Sequence, residues 1–365
     1  MSKYVKRIVC GIFAAALGIT ALAGCGNKKL DGTQIAAVSG EEEVTLGVAS
    51  FLLRYSQAQM ESYYGAYMSD GMWDTEVEEG KTYGESMKSD VMDQLEAMML
   101  LKAHAEDYGI TISEEDQKNI EAAAKTFMEN NDEETIQTLA VTQEDVEKVL
   151  TLYTYQNKMF DPMVADVDTE VSDEEAAQTT ITYIQVSTAA TTDEEGEEVE
   201  LTEDEKAAKK ELAQTVLDKI SQQEDVAAAD MDALAKEVDE ELSASTASFG
   251  SDDETLVDIL KTTAAELEDG NIAGEILEGT DGYYVLRLDK AFDEEATASK
   301  KESIVSERQQ EAYDALIEEW KEETEFTVHK EVWKEVTLTD QHSFTFKDTS
   351  SDVETEEGTE ETGEE

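Results

Sequence analysis

Two short runs of β-branched and aromatic residues, T-T-I-T-Y-I-Q-V at 179–186 and D-G-Y-Y-V-L-R-L at 281–288, stand in a chain otherwise patterned for helices. Each reads as a strand, and the second is entered through an Asp-Gly turn. They open and close one compact module of strands and helices. Between them the pattern predicts a helix over 203–221, a short helix around 230–238, a Ser/Gly-rich loop ending at Gly250, and a helical stretch over 254–267 closed by Gly270.

The rest of the chain reads as helices with one recurring entry device. I-S-E-E-D at 112, V-T-Q-E-D at 141, V-S-D-E-E at 171 and L-T-E-D-E at 201 each set an apolar residue before a Ser or Thr, with acids following. The hydroxyl accepts an orphan backbone N–H, the acids complement the helix dipole, and the apolar residue staples onto the first turn. The residues between these starts do not repeat, so they are four helix caps and not a solenoid. Around them, 35–46 reads as strand, Ser-Gly turn and second strand or helix entry. Amphipathic helices are expected over 48–67, 83–108 and 142–160, the last stopping at Asp161-Pro162. After the module, 299–323 is helical and 325–333 is a short extended or turn segment. Met87, Met92, Met98 and Met99 read either as ordinary core or as an adaptable client surface.

Composition excludes several functions. With 28 Lys and Arg against 88 Asp and Glu, the net charge of −60 repels nucleic-acid phosphates, so no nucleic-acid partner is expected. No G-x-S-x-G, P-loop or G-x-G-x-x-G occurs, and His104, His329 and His342 have no partner at metal-ligand spacing, so neither metal nor cofactor is expected. A solute-binding lipoprotein would need two repeated α/β lobes, against which the long helical runs speak.

The first 25 residues read as a processing signal. Lys3, Lys6 and Arg7 precede an apolar run over 8–23, and L-A-G-C at 22–25 resembles the lipobox of bacterial lipoproteins. That resemblance implies cleavage before Cys25 and lipidation of its thiol, with an uncleaved anchor as the alternative; two acyl chains on one residue would hold the protein on the membrane. Cys10 would leave with the signal, so no disulfide is expected.

Five segments inside 179–292 occur in the order found in the parvulin family of peptidyl-prolyl isomerases: 181–186, L-A-K-E at 234–237, Phe249-Gly250, L-E-D-G-N-I-A-G at 267–274, and G-Y-Y-V-L at 282–286. With its helical flanks the chain resembles PrsA and SurA-like extracytoplasmic foldases. The resemblance implies an α+β fold: a helical chaperone domain carrying an inserted parvulin-like module of antiparallel sheet plus helices. The implied divisions are signal peptide 1–24, tether 25–40, N-terminal helical domain 41–178, inserted module 179–292, a C-terminal helical segment 293–340 returning to the N-terminal domain, and an acidic tail 341–365, expected to be disordered. It also implies unfolded or secreted polypeptides as clients, and leaves the oligomeric state open.

Prolyl isomerisation must lower a rotational barrier of roughly 20 kcal/mol with no covalent step. An apolar cup for the ring and polar groups around the carbonyl suffice. The family's two histidine positions fall here on Tyr183 and Tyr284, its Cys or Asp on Glu240 or Glu241, and its apolar cup on Leu256 and Leu260, with Phe249 beside them. The two phenols read either as a polar pair at the floor of a site or as core aromatics on adjacent strands. Leu256 and Leu260 likewise read as cup or core. Isomerase activity is accordingly expected to be weak or lost.

Replacing Cys25 with Ser is expected to abolish processing and membrane retention. Cell fractionation checks this, and a Cys25→Ser chain processed and retained like the wild type sinks the lipid-anchor reading.

Overall fold

The computed structural model of the protein describes residues 30–64, 71–192 and 198–338. The expected signal peptide, Cys25, His342 and the acidic tail lie outside them. The chain divides into two compact units: one is built from the chain up to Asp166 together with the chain from Gln310 onward, the other from Val167 to Gln309. The fold is α+β, with helices dominating the first unit and an antiparallel sheet flanked by helices in the inserted one.

In the helical unit, β1 (Ile35–Ser39) turns through Gly40, whose φ of 56° suits a residue without a Cβ, into β2 (Glu42–Thr45). There follow α1 (Leu46–Tyr64), a small hairpin of β3 (Glu76–Glu78) and β4 (Lys81–Thr82), then α2 (Tyr83–Ala103), α3 (Glu114–Asn130), α4 (Glu133–Leu139) and α5 (Gln143–Met163). Their apolar faces meet in one core containing Phe51, Leu52, Leu95, Phe127, Val146 and Val149, and all four methionines of α2 are buried in it. Helix α5 runs through Pro162 instead of stopping before it. In the last turn the proline forfeits one intrahelical bond, and the Val164 N–H still donates to the Phe160 carbonyl at 3.2 Å. Helix α2 ends at Ala103, with a separate 3₁₀ turn over Ala105–Tyr108.

The inserted unit contains α6 (Asp173–Ala176), β5 (Thr179–Ser187), the two-residue strands β6 (Thr191–Thr192) and β7 (Glu198–Val199), α7 (Glu203–Ser221), α8 (Met231–Lys236), β8 (Ala244–Phe249), α9 (Asp258–Ala264), β9 (Leu277–Glu278), β10 (Gly282–Lys290) and the start of α10 (Glu294–Glu323). The sheet order is β8-β5-β10-β9, antiparallel throughout. All four anticipated caps form: Ser113, Thr142, Ser172 and Thr202 each accept the backbone N–H three residues on.

Two segments of the module differ from the sequence reading. The expected Ser/Gly loop is the strand β8: small residues with little β propensity pair in continuous register with β5, and Thr180 and Thr182 reach the hydroxyls of Ser248 at 2.7 Å and Thr246 at 3.2 Å. The expected helix over 254–267 shortens to α9. Asp253 Oδ1 takes the N–H groups of Thr255 (2.8 Å) and Leu256 (2.7 Å), holding the chain in a turn before the helix.

The inserted sheet begins and ends at one place. The Asp293 N–H donates to the Gln178 carbonyl (2.8 Å), the Gln178 N–H donates to Thr297 Oγ1 (3.1 Å), and the Thr180 hydroxyl donates to Asp293 Oδ2 (2.9 Å). Asp293 Oδ1 also accepts the Glu295 and Ala296 N–H groups at the start of α10, which therefore begins at 294 and not 299.

The chain then returns to the helical unit as β11 (Phe326–Val328), which pairs with β1, and α11 (Lys330–Trp333). Lys88 Nζ donates to the carbonyls of Trp333 (3.0 Å) and Val336 (2.7 Å), and the Arg54 guanidinium donates to the Thr337 carbonyl and to Gln57 Oε1 (3.1 Å).

Because the ends of the sheet module are tied together, replacing 179–292 with a short Gly/Ser bridge is expected to leave a folded helical unit. Retained helical circular dichroism with one cooperative thermal transition is the expected result; loss of both would show that the helical unit needs the module. The Asp293 carboxylate is held down at about 2 by the Thr180 hydroxyl first and the Ala296 N–H next. A folded-state value below the unfolded one near 3.9 gives stability that is present above about pH 4 and lost as the pH falls towards 2. Asp293→Asn should flatten the acid limb of the stability curve in that window, measured by denaturant unfolding at several pH values; an unchanged acid limb contradicts the assignment.

Candidate functional site

Strand alternation divides the module's apolar residues between two faces. In the β5–β10 pair Tyr183 lies opposite Leu286, Ile184 opposite Val285 and Gln185 opposite Tyr284. Ile184, Val186, Tyr283 and Val285 thereby point to one face, where they pack with Ala213, Val216, Leu217 and Ile220 of α7 and Met231 and Ala235 of α8. Ile181, Tyr183, Tyr284, Leu286 and Leu288 share the other, with Phe249 from the end of β8 and Leu260 from α9.

Tyr183 and Tyr284 are diagonal neighbours across the two central strands, with ring centroids 6.0 Å apart and planes tilted by 55°. Tyr284 is 1% exposed, and its hydroxyl donates to Asp281 Oδ1 at 2.6 Å. The other oxygen, Oδ2, accepts from Gln185 Nε2 at 2.9 Å. Gly279 makes room for the ring, since a Cβ there would stand 2.8 Å from Tyr284 Cε2. Burial first, then the hydrogen bond to Asp281 and its charge, push the Tyr284 phenol well above its ordinary range. The hydroxyl is therefore protonated at neutral pH, with its proton committed to Asp281. Tyr183 is half-buried and packs against the same cluster.

Leu260 forms the floor of the apolar patch with Phe249 (9% exposed), while Leu256, Val257 and Ile259 are half-buried along its rim. The turn at Asp253 sets the position of Leu256, and the Asp253 carbonyl accepts from Lys261 Nζ at 2.5 Å. Tyr183, Tyr284, Phe249, Leu256 and Leu260 thus belong to one cluster.

Glu241 is elsewhere. It lies exposed in the turn between α8 and β8, where its backbone N–H donates to Asp239 Oδ1 at 3.0 Å, and Glu240 beside it is also exposed. The carboxylate that bonds Tyr284 is Asp281, a residue the family resemblance does not point to. Its signal was local: the Asp of a D-G turn three residues before a strand tyrosine is within reach of that ring's hydroxyl.

The assembled surface is an apolar patch with one locked phenol at its floor and one half-exposed phenol beside it. It offers dispersion and burial to a ring-shaped apolar group, but no activated nucleophile. Among the described residues no group of three His, Cys, Asp or Glu is placed to hold a metal ion, and no helix is long and apolar enough to cross a membrane. His104 stacks on Trp320 with centroids 4.1 Å apart, and His329 Nδ1 lies 3.0 Å from the Ile35 carbonyl, so both are engaged in packing the helical unit.

No protein-family model matches the sequence, and no curated protein matches it. Among solved structures, the chain is similar to the peptidylprolyl isomerase PrsA of Bacillus anthracis at 14% identity and a TM-score of 0.27, covering 63% of this chain and 96% of that one. It is similar to the foldase protein PrsA of Streptococcus pneumoniae at 14% identity and a TM-score of 0.29, covering 67% and 91%. A third likeness, at 12% identity and a TM-score of 0.21 over 74% and 91%, is to a structure described with PEB4 and Cj1289 as SurA-like chaperones of Campylobacter jejuni. Solved structures to which this chain is similar thus include PrsA proteins and a SurA-like chaperone.

Proposed function

We propose that this protein is an extracytoplasmic foldase, tethered to the membrane through lipid on Cys25, that binds non-native segments of secreted polypeptides. Its inserted unit holds proline-bearing segments with little or no isomerase turnover. One observation carries this reading. Tyr183, Phe249, Leu256, Leu260 and Tyr284, spread over four elements and the loop before α9, converge on one sheet face whose apolar rim is partly open.

Loss of turnover follows from how the polar groups are spent. The Tyr284 hydroxyl donates to Asp281 and is not free to meet a substrate carbonyl, and at its floor the patch has leucine beside Phe249. The second reading, a holdase with no isomerase role, rests on the same locked phenol, and the two differ only in residual turnover.

The test is protease-coupled isomerisation of a proline tetrapeptide, scored beside suppression of client aggregation, for wild type, Tyr183→Phe, Tyr284→Phe and Leu260→Ala. Loss of about 3 kcal/mol of transition-state stabilisation costs roughly a hundredfold in rate, so turnover is expected near background in all four. Aggregation should be suppressed equally by the wild type and both Tyr→Phe variants. Robust wild-type turnover that collapses in the Tyr→Phe variants would make the tyrosines working members of the site. Failure of the wild type to suppress aggregation removes the foldase reading. Leu260→Ala should also lower the melting temperature through its cavity, by about 2–5 kcal/mol of stability.

A further inference from the structure

Among the described residues no strand pairs with the outer edge of β8. The Thr188 N–H donates to the Asp281 carbonyl at 3.0 Å, continuing the β5–β10 ladder, so β5 residues of even number turn their backbone groups to β10 and those of odd number turn theirs to β8. The β8 partners of Tyr183, Ile181 and Thr179 are Ser245, Ala247 and Phe249. Ala244, Thr246 and Ser248 therefore turn theirs outward. Ala244 agrees with this, because its N–H donates to Asp232 Oδ1 at 3.1 Å. For Thr246 and Ser248, both exposed, no outward backbone partner is found among the described residues.

The far edge of this sheet and both edges of the three-stranded sheet are blunted. Lys148 Nζ donates to the Glu43 carbonyl at 2.6 Å on β2, while β9 has two residues and β11 three. Strand β8 has six residues, continuous register, and no proline, glycine or charge. Its alternate side chains Ala247 and Phe249 belong to the same apolar cluster as Tyr183 and Leu256, so the edge is continuous with the patch. Acids flank it on both sides: Asp239, Glu240 and Glu241 before, Asp252, Asp253 and Glu254 after.

We infer that β8 is a docking edge for an extended polypeptide segment, which adds as a fifth strand by pairing with Thr246 and Ser248. The favoured segment has about six uncharged residues, alternately apolar, with Lys or Arg at both ends. The central six lie along the neutral edge and every second side chain leans over the patch; the basic ends meet the flanking acids. The inference rests on the foldase reading and specifies how a client is gripped.

The experiment uses the full chain and a fluorescein-labelled peptide, K-K-V-T-V-T-V-T-K-K, with a second peptide N-methylated through its central six residues. Binding is read by anisotropy, and hydrogen–deuterium exchange is followed at 244–249. The first peptide should slow exchange at Thr246 and Ser248, and the N-methylated one should not bind. Proline at an outward N–H spares the backbone pairing with β5, so Ser248→Pro should weaken binding about tenfold, with Ser248→Ala, which loses only the hydroxyl contact to Thr180, binding like the wild type. Unchanged exchange at Thr246 and Ser248 in the bound state, or equal binding of the N-methylated peptide, overturns the inference. So does slow exchange without peptide in a chain that sediments as a dimer, since a second copy then occupies the edge. Aggregation suppression by the wild type separates the two levels: suppression without protection at Thr246 and Ser248 refutes the edge alone, while protection without suppression supports the edge and refutes the foldase reading.

Discussion

The helical unit depends on the pairing of β1 with β11, two strands from opposite ends of the sequence. Ala37 lies opposite Val328 and Ser39 opposite Phe326, and the His329 N–H continues the contact to the Ala36 carbonyl at 2.8 Å. Closing so long a loop costs chain entropy before any contact is gained, and the inserted unit limits that cost by bringing its own ends together at Gln178 and Asp293. Cations from the N-terminal half then fasten the returning segment. Arg54 is 5% exposed, and burial, opposed by the charge of Glu61, lowers its guanidinium to about 10. A buried cation held against carbonyl oxygens ties the ends of the unit to one geometry, because moving the segment would leave both the charge and the carbonyls unsatisfied.

The same division of labour shapes the sheet. The face under α7 and α8 is closed by large apolar side chains and by Arg287, whose Nη1 donates to the carbonyls of Val226 (3.0 Å) and Ala229 (2.8 Å) while its Nε meets Asp289 at 2.6 Å. Hydroxyl pairs between β5 and β8 run along that face too. The opposite face is covered by the seven-residue α9 and the turn before it, leaving Leu256, Val257 and Ile259 half-exposed. A partly open apolar surface arises where the covering element is too short to close the layer.

Much of this was legible in the residues. The Ser and Thr caps at 113, 142, 172 and 202 formed as read, because a cap is a local event: one hydroxyl, one N–H three residues on, and an acid in the first turn. Strands β5 and β10 were equally plain from their β-branched and aromatic density. Strand β8 was not, since Ala-Ser-Thr-Ala-Ser-Phe has weak intrinsic preference and becomes a strand by pairing with β5, a partner far away in sequence. Glu241 and Asp281 show the same limit at the site. Family spacing pointed to an acid after α8, whereas the acid that reaches Tyr284 is supplied by its own hairpin turn, a contact set by three-residue geometry. Pro162 does not stop α5, because a proline in the last turn of a helix removes a single bond.

A patch of this kind separates binding from catalysis on physical grounds. Burying a proline ring against Leu256, Leu260 and Phe249 contributes about 25 cal/mol per Å² whether the amide is planar or twisted. Contacts that are equal in the ground and transition states lower the dissociation constant without raising turnover. Acceleration needs a group whose interaction grows as the amide twists, such as a donor free to follow the changing carbonyl. Tyr284 is buried in the patch, and its hydroxyl already donates its proton to Asp281. Freeing it would leave a buried phenol without its acceptor, a cost of about 1–3 kcal/mol that works against any gain at the substrate. Under the proposed function, the hydrogen bond that orders the patch therefore also keeps it a surface for binding alone.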